Sequence, residues 1–491
     1  MKNLIRAFAL GLASAAAFAP FEQFWLMFLL LAGLYALTRE CRPGAAARLG
    51  FAFGLGQFLA GISWVYVSMH QYGGMAAALA ALATLLFSAF LALFPAAALA
   101  ARARLHTTAA WLDAAAYAAC LALADWARGW VFTGFPWLSI GYSQTPPSPY
   151  AGYAPLLGTY GISFLTALCA AGLVLAWRAP ARRMAAAGVL VLALTGGGAL
   201  LRGVEWTQAR PQPLSVALLQ GNIEQSLKWR PELLELSLSR YLQLAHDNPA
   251  RLVLLPETAL PLLYDRLPPD YLAALSAPAV AAGGDVLLGA VRRGAGETYY
   301  NSVVAARSGA SYDKEHLVPF GEFTPPLFRW TLRLLHIPMA DLSPGAPDQA
   351  PFRIGAESVA LNICFEDLFG ASIALGAARA SLLANVSNTA WFGHSAAQPQ
   401  HLQIARMRAL ETGRSMLRAT NTGMTAVIDP DGQVRATLEP FTSGALRAEV
   451  HGRDGLTPYM RGRDYPALLL CGICIAACLM RARPVPARPL P

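Results

Sequence analysis

The chain has 491 residues, 55% of them hydrophobic and 14% charged, with a net charge of +9. An ordinary soluble chain carries about 25% charged residues, so a wholly soluble protein is excluded and much of this one is expected in lipid. The arginines fall in short clusters between apolar stretches, which argues for a membrane topology and against a nucleic-acid surface.

A bilayer-spanning helix needs about 20 mostly apolar residues. Seven candidates precede residue 205, at 5–20, 23–38, 50–69, 75–100, 108–130, 155–177 and 184–201, and an eighth runs over 465–480. With eight spans, five basic clusters fall on one side: Lys2 and Arg6; Arg39, Arg42 and Arg48; Arg102 and Arg104; Arg178, Arg182 and Arg183; Arg481, Arg483 and Arg488. The positive-inside rule makes that side the cytoplasm and puts both termini there. Residues 206–460 are then outside. Residues 1–20 also read as a signal peptide, whose removal would leave the remaining topology unchanged. Cys471, Cys474 and Cys478 sit in an apolar helix with no histidine or acid nearby, which favours helix packing over a metal cluster.

The expected organisation is therefore a membrane domain over 1–205, a soluble domain over 206–460, and a last span with its tail over 461–491. In the soluble part, apolar strand-like runs recur at 214–223, 251–260, 285–291, 301–307, 358–367, 381–388 and 424–434. Helical segments are expected over 231–247 and 398–418. The alternation predicts α/β layers with buried sheets. "DPDG" at 429–432 signals a hairpin, so the sheet is expected to be mixed.

Buried strands often deliver catalytic groups to the loops that follow them. Three places fit. Glu257 follows an apolar run in "VLLPETALP", Lys314 lies in "SYDKEHLVPFGEFTP", and Cys364 closes the run in "LNICFEDLFG". Lysine is rare here: only Lys2, Lys228 and Lys314 occur, against 35 arginines. A compact ammonium aimed at a developing oxyanion is a role that the planar guanidinium does not fill equally well. Cys364 is the only cysteine in 206–460, so a disulfide within that region has no second thiol. A thiol nucleophile needs a base. Glu257 is one candidate; His316, His394 and His401 keep a Cys-His pairing open. No cysteine or acid pattern around the histidines completes a metal site, and no metal or cofactor is expected.

At these strand ends the chain resembles the nitrilase superfamily, whose triad is Glu, Lys and Cys in that order. The spans narrow the resemblance to its membrane-embedded branch, the apolipoprotein N-acyltransferases. Matching stretches include "RGWVFTGFPWLSIGYSQ" (128–144), "LLQGNIEQSLKW" (218–229), "YYNSVV" (299–304), "YDKEHLVPFGEFTP" (312–325), "NICFED" (362–367) and "RMRALETGRSMLRATNTGMTAVIDPDG" (406–432). The resemblance implies eight membrane helices plus an αββα nitrilase-like domain on the outer face. It puts Glu257, Lys314 and Cys364 on the triad, Glu322 on an additional essential acid, and Glu366 on the acid two places after the nucleophile. Trp229 and Asn301 fall on further positions near the site. Phe365 stands where the family commonly has tyrosine, and "SNTAWFG" (387–393) replaces the usual Asn-Asp before Trp-Phe-Gly.

The implied reaction moves an acyl chain from a phospholipid, through a cysteine thioester, to the N-terminal amine of a diacylglyceryl-modified apolipoprotein in the bacterial inner membrane. The expected enzyme is monomeric and has no nucleic-acid partner. Phe320, Phe323, Phe328 and Trp330 are expected to form either a lipid-facing lid or core packing. Two other readings compete. A membrane-tethered amidase or nitrilase would release its acyl group to water. A transporter with an outer binding domain would bury ionisable groups in mid-membrane, whereas Asp113 and Asp125 fall toward the ends of the fifth span.

Overall fold

The computed structural model describes residues 1–105, 107–177, 180–224, 234–324 and 341–481. The chain divides into two compact units. One comprises Met1–Tyr66, Met75–Val204 and the residues from Gly462 on; the other comprises Val67–Gly74 and Glu205–Arg461.

The first unit is helical. Its helices run over Lys2–Ser14, Phe24–Thr38, Pro43–Gly61, Ala77–Arg104, Ala110–Arg128, Ala154–Trp177, Ala181–Leu201 and Tyr465–Arg481. Among the described residues, three stretches are long and apolar enough to cross a membrane: Ala77–Arg104, Pro149–Trp177 and Met184–Leu201. The pair Pro43–Gly61 and Trp64–Tyr72, bent by 52°, makes a fourth if it is one span. Phe24–Thr38 and Tyr465–Arg481 are apolar but shorter.

Small residues set how closely the helices approach. Gly50 and Gly54 form a Gly-x-x-x-Gly pair facing the helix Ala77–Arg104. A Cβ on Gly50 would come within 2.6 Å of the Pro95 carbonyl oxygen, and one on Gly54 within 2.8 Å of the Ala92 Cα. Without an aqueous driving force between helices, such close backbone packing is a main source of association.

Charge is buried here in matched pairs. Arg102 pairs with Asp113, and Tyr35 donates its hydroxyl to the same carboxylate at 2.7 Å. Arg102 also donates to the Thr38 carbonyl at 3.0 Å, so three helices are tied together. Asp125 pairs with Arg128 at 2.9 Å and accepts from the Ile140 N–H at 2.8 Å and the Ser163 hydroxyl at 2.9 Å. Arg128 in turn donates to the Phe135 carbonyl at 2.8 Å, which fixes the irregular segment after its helix.

The second unit is built on strands: β1 (Gln208–Gln220), β2 (Leu252–Leu254), β3 (Asp285–Arg293), β4 (Tyr299–Ala305), β5 (Ser311–Asp313), β6 (Phe352–Ile354), β7 (Glu357–Ile363), β8 (Leu382–Ser387), β9 (Met416–Thr420), β10 (Ala426–Ile428), β11 (Val434–Thr437) and β12 (Gly444–Asp454). Among the described residues they form two six-stranded sheets, in the orders β12-β1-β2-β3-β4-β5 and β11-β10-β9-β8-β7-β6. Each sheet has a parallel centre, β1-β2-β3 or β7-β8-β9, flanked by antiparallel strands. The mixed sheets and the β10–β11 hairpin at "DPDG" agree with the sequence expectation.

Side-chain alternation builds the layers. Leu214, Val216 and Leu218 of β1 face the other sheet, where they meet Val359, Leu361 and Ile363 of β7 in one core. Ala217 and Leu219 face outward into a second core with Tyr241 and Leu275, on the helices Leu234–Asp247 and Pro269–Ala281. On the far side, Ala374 and Ala405 of the helices Gly370–Ala377 and Ala397–Thr412 cover the second sheet. The result is an αββα sandwich.

Several boundaries differ from the sequence reading: the run 251–260, for example, is strand only over Leu252–Leu254, and two further differences bear on the site. The run 358–367 is strand only to Ile363, because Cys364 takes a positive φ of 54° and a 3-10 turn follows. The helix expected over 398–418 stops at Thr412, where Gly413 enters the left-handed region at φ 59°, and β9 begins at Met416.

Candidate active site

The site collects residues from β4 and from the segments that follow β2, β5 and β7, so both sheets contribute. Glu257 lies three residues beyond β2, and the chain there is pinned to β3: the Leu255 N–H donates to the Leu287 carbonyl at 2.9 Å and the Ala259 N–H to the Gly289 carbonyl at 3.0 Å. Gly289 is required for this approach, since a Cβ would come within 2.8 Å of the Glu257 Cα. Asn301 comes from β4. Lys314 follows β5, and its N–H donates to the Asn301 carbonyl at 2.8 Å.

These residues form one buried charge cluster. Lys314 Nζ donates to Glu257 Oε1 at 3.1 Å and to Glu322 Oε1 at 2.9 Å. Asn301 Nδ2 contacts the same two oxygens, at 2.7 and 2.6 Å. The second oxygen of Glu257 accepts the Asn388 N–H at 2.8 Å, and that of Glu322 the Val318 N–H at 2.8 Å. One ammonium thus serves two carboxylates, with Lys314 only 1% exposed.

The electrostatics follow from that arrangement. Burial pushes the Glu257 carboxyl up, but Lys314, Asn301 and the Asn388 N–H outweigh it and hold it below the usual carboxylate range. Burial pulls the Lys314 pKa down, yet Glu257, Glu322 and Cys364 outweigh it and keep the pKa above that of an ordinary lysine. Burial and Glu257 push the Cys364 thiol up, and Lys314 only partly offsets them. The resting state is therefore carboxylate, ammonium and neutral thiol. Moving the thiol proton onto Glu257 leaves the net charge of the cluster unchanged, which is how a buried thiolate becomes accessible without added charge.

Cys364 sits at a strained corner between β7 and its 3-10 turn, and its positive φ is uncommon for a residue with a side chain. Glu366 braces the corner. Its Oε2 accepts the Ile363 N–H at 2.6 Å and the Tyr312 hydroxyl at 3.0 Å; its Oε1 accepts the Glu315 and His316 N–H groups at 2.6 and 3.1 Å. It therefore joins the Cys364 turn to the backbone just after Lys314. Burial raises the Glu366 carboxyl to about 7, against the opposing pull of Ile363, Lys314 and the other amides. Phe365 is buried, edge-on to Phe369 at 5.4 Å.

Of the residues expected at the site, the structure brings together Glu257, Asn301, Lys314 and Glu322 by direct contact. Cys364 interacts with them electrostatically, and Glu366 links the two segments. Trp229 lies outside the described residues, as do Phe328 and Trp330. Phe320 is half exposed.

The histidines are occupied elsewhere. His316 stacks on Phe369 at 4.1 Å and His394 on Phe441 at 3.6 Å. His401 lies beneath the Cys364 turn, bonded to Asp367, Arg418 and the Cys364 carbonyl. This group was missed in the sequence. The signal available was a polar residue in each of two buried apolar strands, Asn362 in β7 and Asn385 in β8.

Comparison with known proteins agrees with this architecture. Residues 10–172 match the family described as "Apolipoprotein N-acyltransferase N-terminal domain", and residues 215–454 match "Carbon-nitrogen hydrolase". A protein of Nitrosomonas europaea named apolipoprotein N-acyltransferase is 46% identical over 97% of this chain and 96% of its own length. One from Chromobacterium violaceum with the same name is 46% identical over 98% and 94%. Among solved structures, an amidase of the nitrilase superfamily from Nesterenkonia AN1 covers 52% of this chain and 95% of its own, at 19% identity and a TM-score of 0.35.

Proposed function

This chain belongs to the apolipoprotein N-acyltransferase family, and on that premise we propose that it moves a fatty acyl chain from a phospholipid to the N-terminal amine of a diacylglyceryl-modified apolipoprotein. The observation that carries the reading is Lys314 held between Glu257 and Glu322 beside a thiol on a strained strand end.

The chemistry is ping-pong acyl transfer. Glu257, a carboxylate at rest, takes the Cys364 proton as the sulfur attacks the ester carbonyl. The Lys314 ammonium and a backbone N–H of the turn stabilise the tetrahedral oxyanion. Glu257 returns the proton to the departing lysophospholipid oxygen, leaving a Cys364 thioester and a carboxylate again. The amine of the second substrate attacks the thioester, Glu257 receives its proton, and the amide forms as the thiol is regenerated.

Glu322 and Asn301 hold Lys314 and Glu257 in register, and Glu366 ties the Lys314 segment to the Cys364 turn. In this reading eight helices cross the inner membrane. The sheet unit works on the periplasmic side with both termini in the cytoplasm, a reading that the arginine clusters support. Both substrates are lipids, so a dry site at the bilayer surface keeps water from hydrolysing the thioester.

The test is to give purified protein a phospholipid and a diacylglyceryl lipopeptide. N-acylated lipopeptide with one equivalent of lysophospholipid is expected. Free fatty acid as the sole acyl product, again with one equivalent of lysophospholipid, would instead make the protein a hydrolase.

A further inference from the structure

Beneath the nucleophile lies a connected set of buried polar side chains with no part in the proton transfers above. Asp367 (0% exposed), His401 (1%), Arg418 (1%) and Asn385 (0%) come from the 3-10 turn, the helix Ala397–Thr412, β9 and β8. His401 Nε2 lies 2.7 Å from Asp367 Oδ1 and 3.1 Å from the Cys364 carbonyl oxygen. His401 Nδ1 lies 2.7 Å from a terminal nitrogen of Arg418. The other terminal nitrogen of Arg418 donates to Asp367 Oδ2 at 3.1 Å and to Asn385 Oδ1 at 2.9 Å. Asn385 Nδ2 donates to the Cys364 carbonyl at 3.2 Å.

The partners assign the tautomer. A guanidinium only donates, so Nδ1 must accept; a carboxylate and a carbonyl only accept, so Nε2 carries the hydrogen. Burial and Arg418 hold the His401 pKa below its ordinary value, against the opposing pull of Asp367, which keeps the ring neutral. The one Nε2 hydrogen of His401 is shared between Asp367 Oδ1 and the Cys364 carbonyl oxygen, and the Asn385 amide, which also donates to Asn362, donates to that same carbonyl.

That carbonyl controls a second group. The Cys364–Phe365 peptide is trans, and in a planar trans peptide the C=O and the following N–H point in opposite directions. Drawing the Cys364 carbonyl toward His401 and Asn385 turns the Phe365 N–H away from them. The positive φ of Cys364 makes this an orientation that the chain would not hold unaided.

We infer that the His401–Arg418–Asp367 set, with Asn385, is a positioning device that aims the Phe365 N–H at the oxyanion formed on a Cys364-bound acyl group. The inference rests on the thioester reading above. His401 is a positioning residue that touches no reacting atom, and the base remains Glu257.

The experiment compares two reactions of the same thiol in purified full-length protein. Thioester formation from phospholipid passes through an oxyanion; alkylation by iodoacetamide does not. His401→Phe keeps the ring's bulk and removes both hydrogen-bonding atoms. It is expected to slow thioester formation by about 10²-fold, the size of effect that misplacing a reacting group produces, with KM for phospholipid and the alkylation rate near wild type. His401→Gln, which restores a donor and an acceptor, is expected to recover most of the loss. If His401→Phe does not fold, Asn385→Ser withdraws the other donor to the same carbonyl and is expected to give the same split.

Equal slowing of both reactions, or of neither, would overturn the inference. Absence of any thioester in the wild-type protein would overturn the parent reading instead.

Discussion

Both units bury one-to-one ion pairs, Arg408 with Glu411 at 3.0 Å being one in the sheet unit, but the charge at the candidate site is settled differently. In the helical unit each buried aspartate has its own guanidinium: Asp113 has Arg102 and Asp125 has Arg128. In the sheet unit Lys314 is divided between Glu257 and Glu322. A closed pair ties segments together and has little left to offer a third group. A shared ammonium leaves one negative charge in excess, and the neighbouring thiol feels it. The contrast sets buried charge that ties segments together against buried charge that, in the proposed mechanism, moves a proton.

The largest expected effect tests the shared ammonium. Lys314→Ala removes both the counter-charge of two carboxylates and an oxyanion donor. Losing one such donor typically costs about 10²–10³ in kcat, so acyl transfer measured with phospholipid and lipopeptide should fall at least that far. Lys314→Arg should not rescue it, because a planar fork cannot occupy the ammonium's place between Glu257 and Glu322.

The matched pairs should respond in stability instead. Asp113→Leu leaves Arg102 buried without its carboxylate, and breaking a buried pair from one side costs about 3–5 kcal/mol. Thermal unfolding in detergent should show that loss, with kcat per folded molecule little changed. The double variant Arg102→Met with Asp113→Leu should recover most of it, since an apolar pair of similar volume avoids the desolvation. A double variant no better than the single would mean that the pair does more than lock helices.

The pH dependence of stability should show opposite signs at two acids. Glu257 is held below its unfolded value, so its contribution is present above about 4.3, the ordinary glutamate pKa, and fades as pH falls through the lower folded value. Glu366 is raised to about 7, so its contribution is complete below about 4.3 and is lost as pH rises toward 7. Unfolding measured from pH 4 to 8 should therefore lose stability across the upper window in wild type, and Glu366→Gln should flatten that part.

Both acids could be picked out in the sequence, but for different reasons. Glu257 and Cys364 each end an apolar run, which is a local pattern; Lys314 lies among polar residues just before one, and lysine is rare enough in this chain for it to stand out. Glu322, Glu366 and Asn301 carried no local signal and came from family resemblance. The Asp367–His401–Arg418–Asn385 set was not legible, because its members come from a turn, a helix and two strands and meet only after the second sheet has formed. The expected helix over 398–418 hid Arg418, which belongs to a strand beyond the left-handed Gly413. In the helical unit the apolar stretches were plain from hydropathy. Which arginine would meet which aspartate was not, since Arg102 and Asp113 lie on separate helices.

The smallest expected effect concerns Phe365. Its ring packs edge-on to Phe369, a role that tyrosine can also fill. Phe365→Tyr should change kcat by less than about tenfold, equivalent to 1.36 kcal/mol, in the same acyl-transfer assay. A larger loss would mean that the pocket around Phe365 has no place for a hydroxyl.

The most direct test of the central claim is mass spectrometry of the protein incubated with phospholipid and no amine acceptor. The account predicts one fatty acyl group on the peptide containing Cys364, removed by hydroxylamine and passed to a lipopeptide amine when one is added. Acyl transfer at a normal rate with Cys364 never acylated, or undiminished in Cys364→Ser, would contradict it.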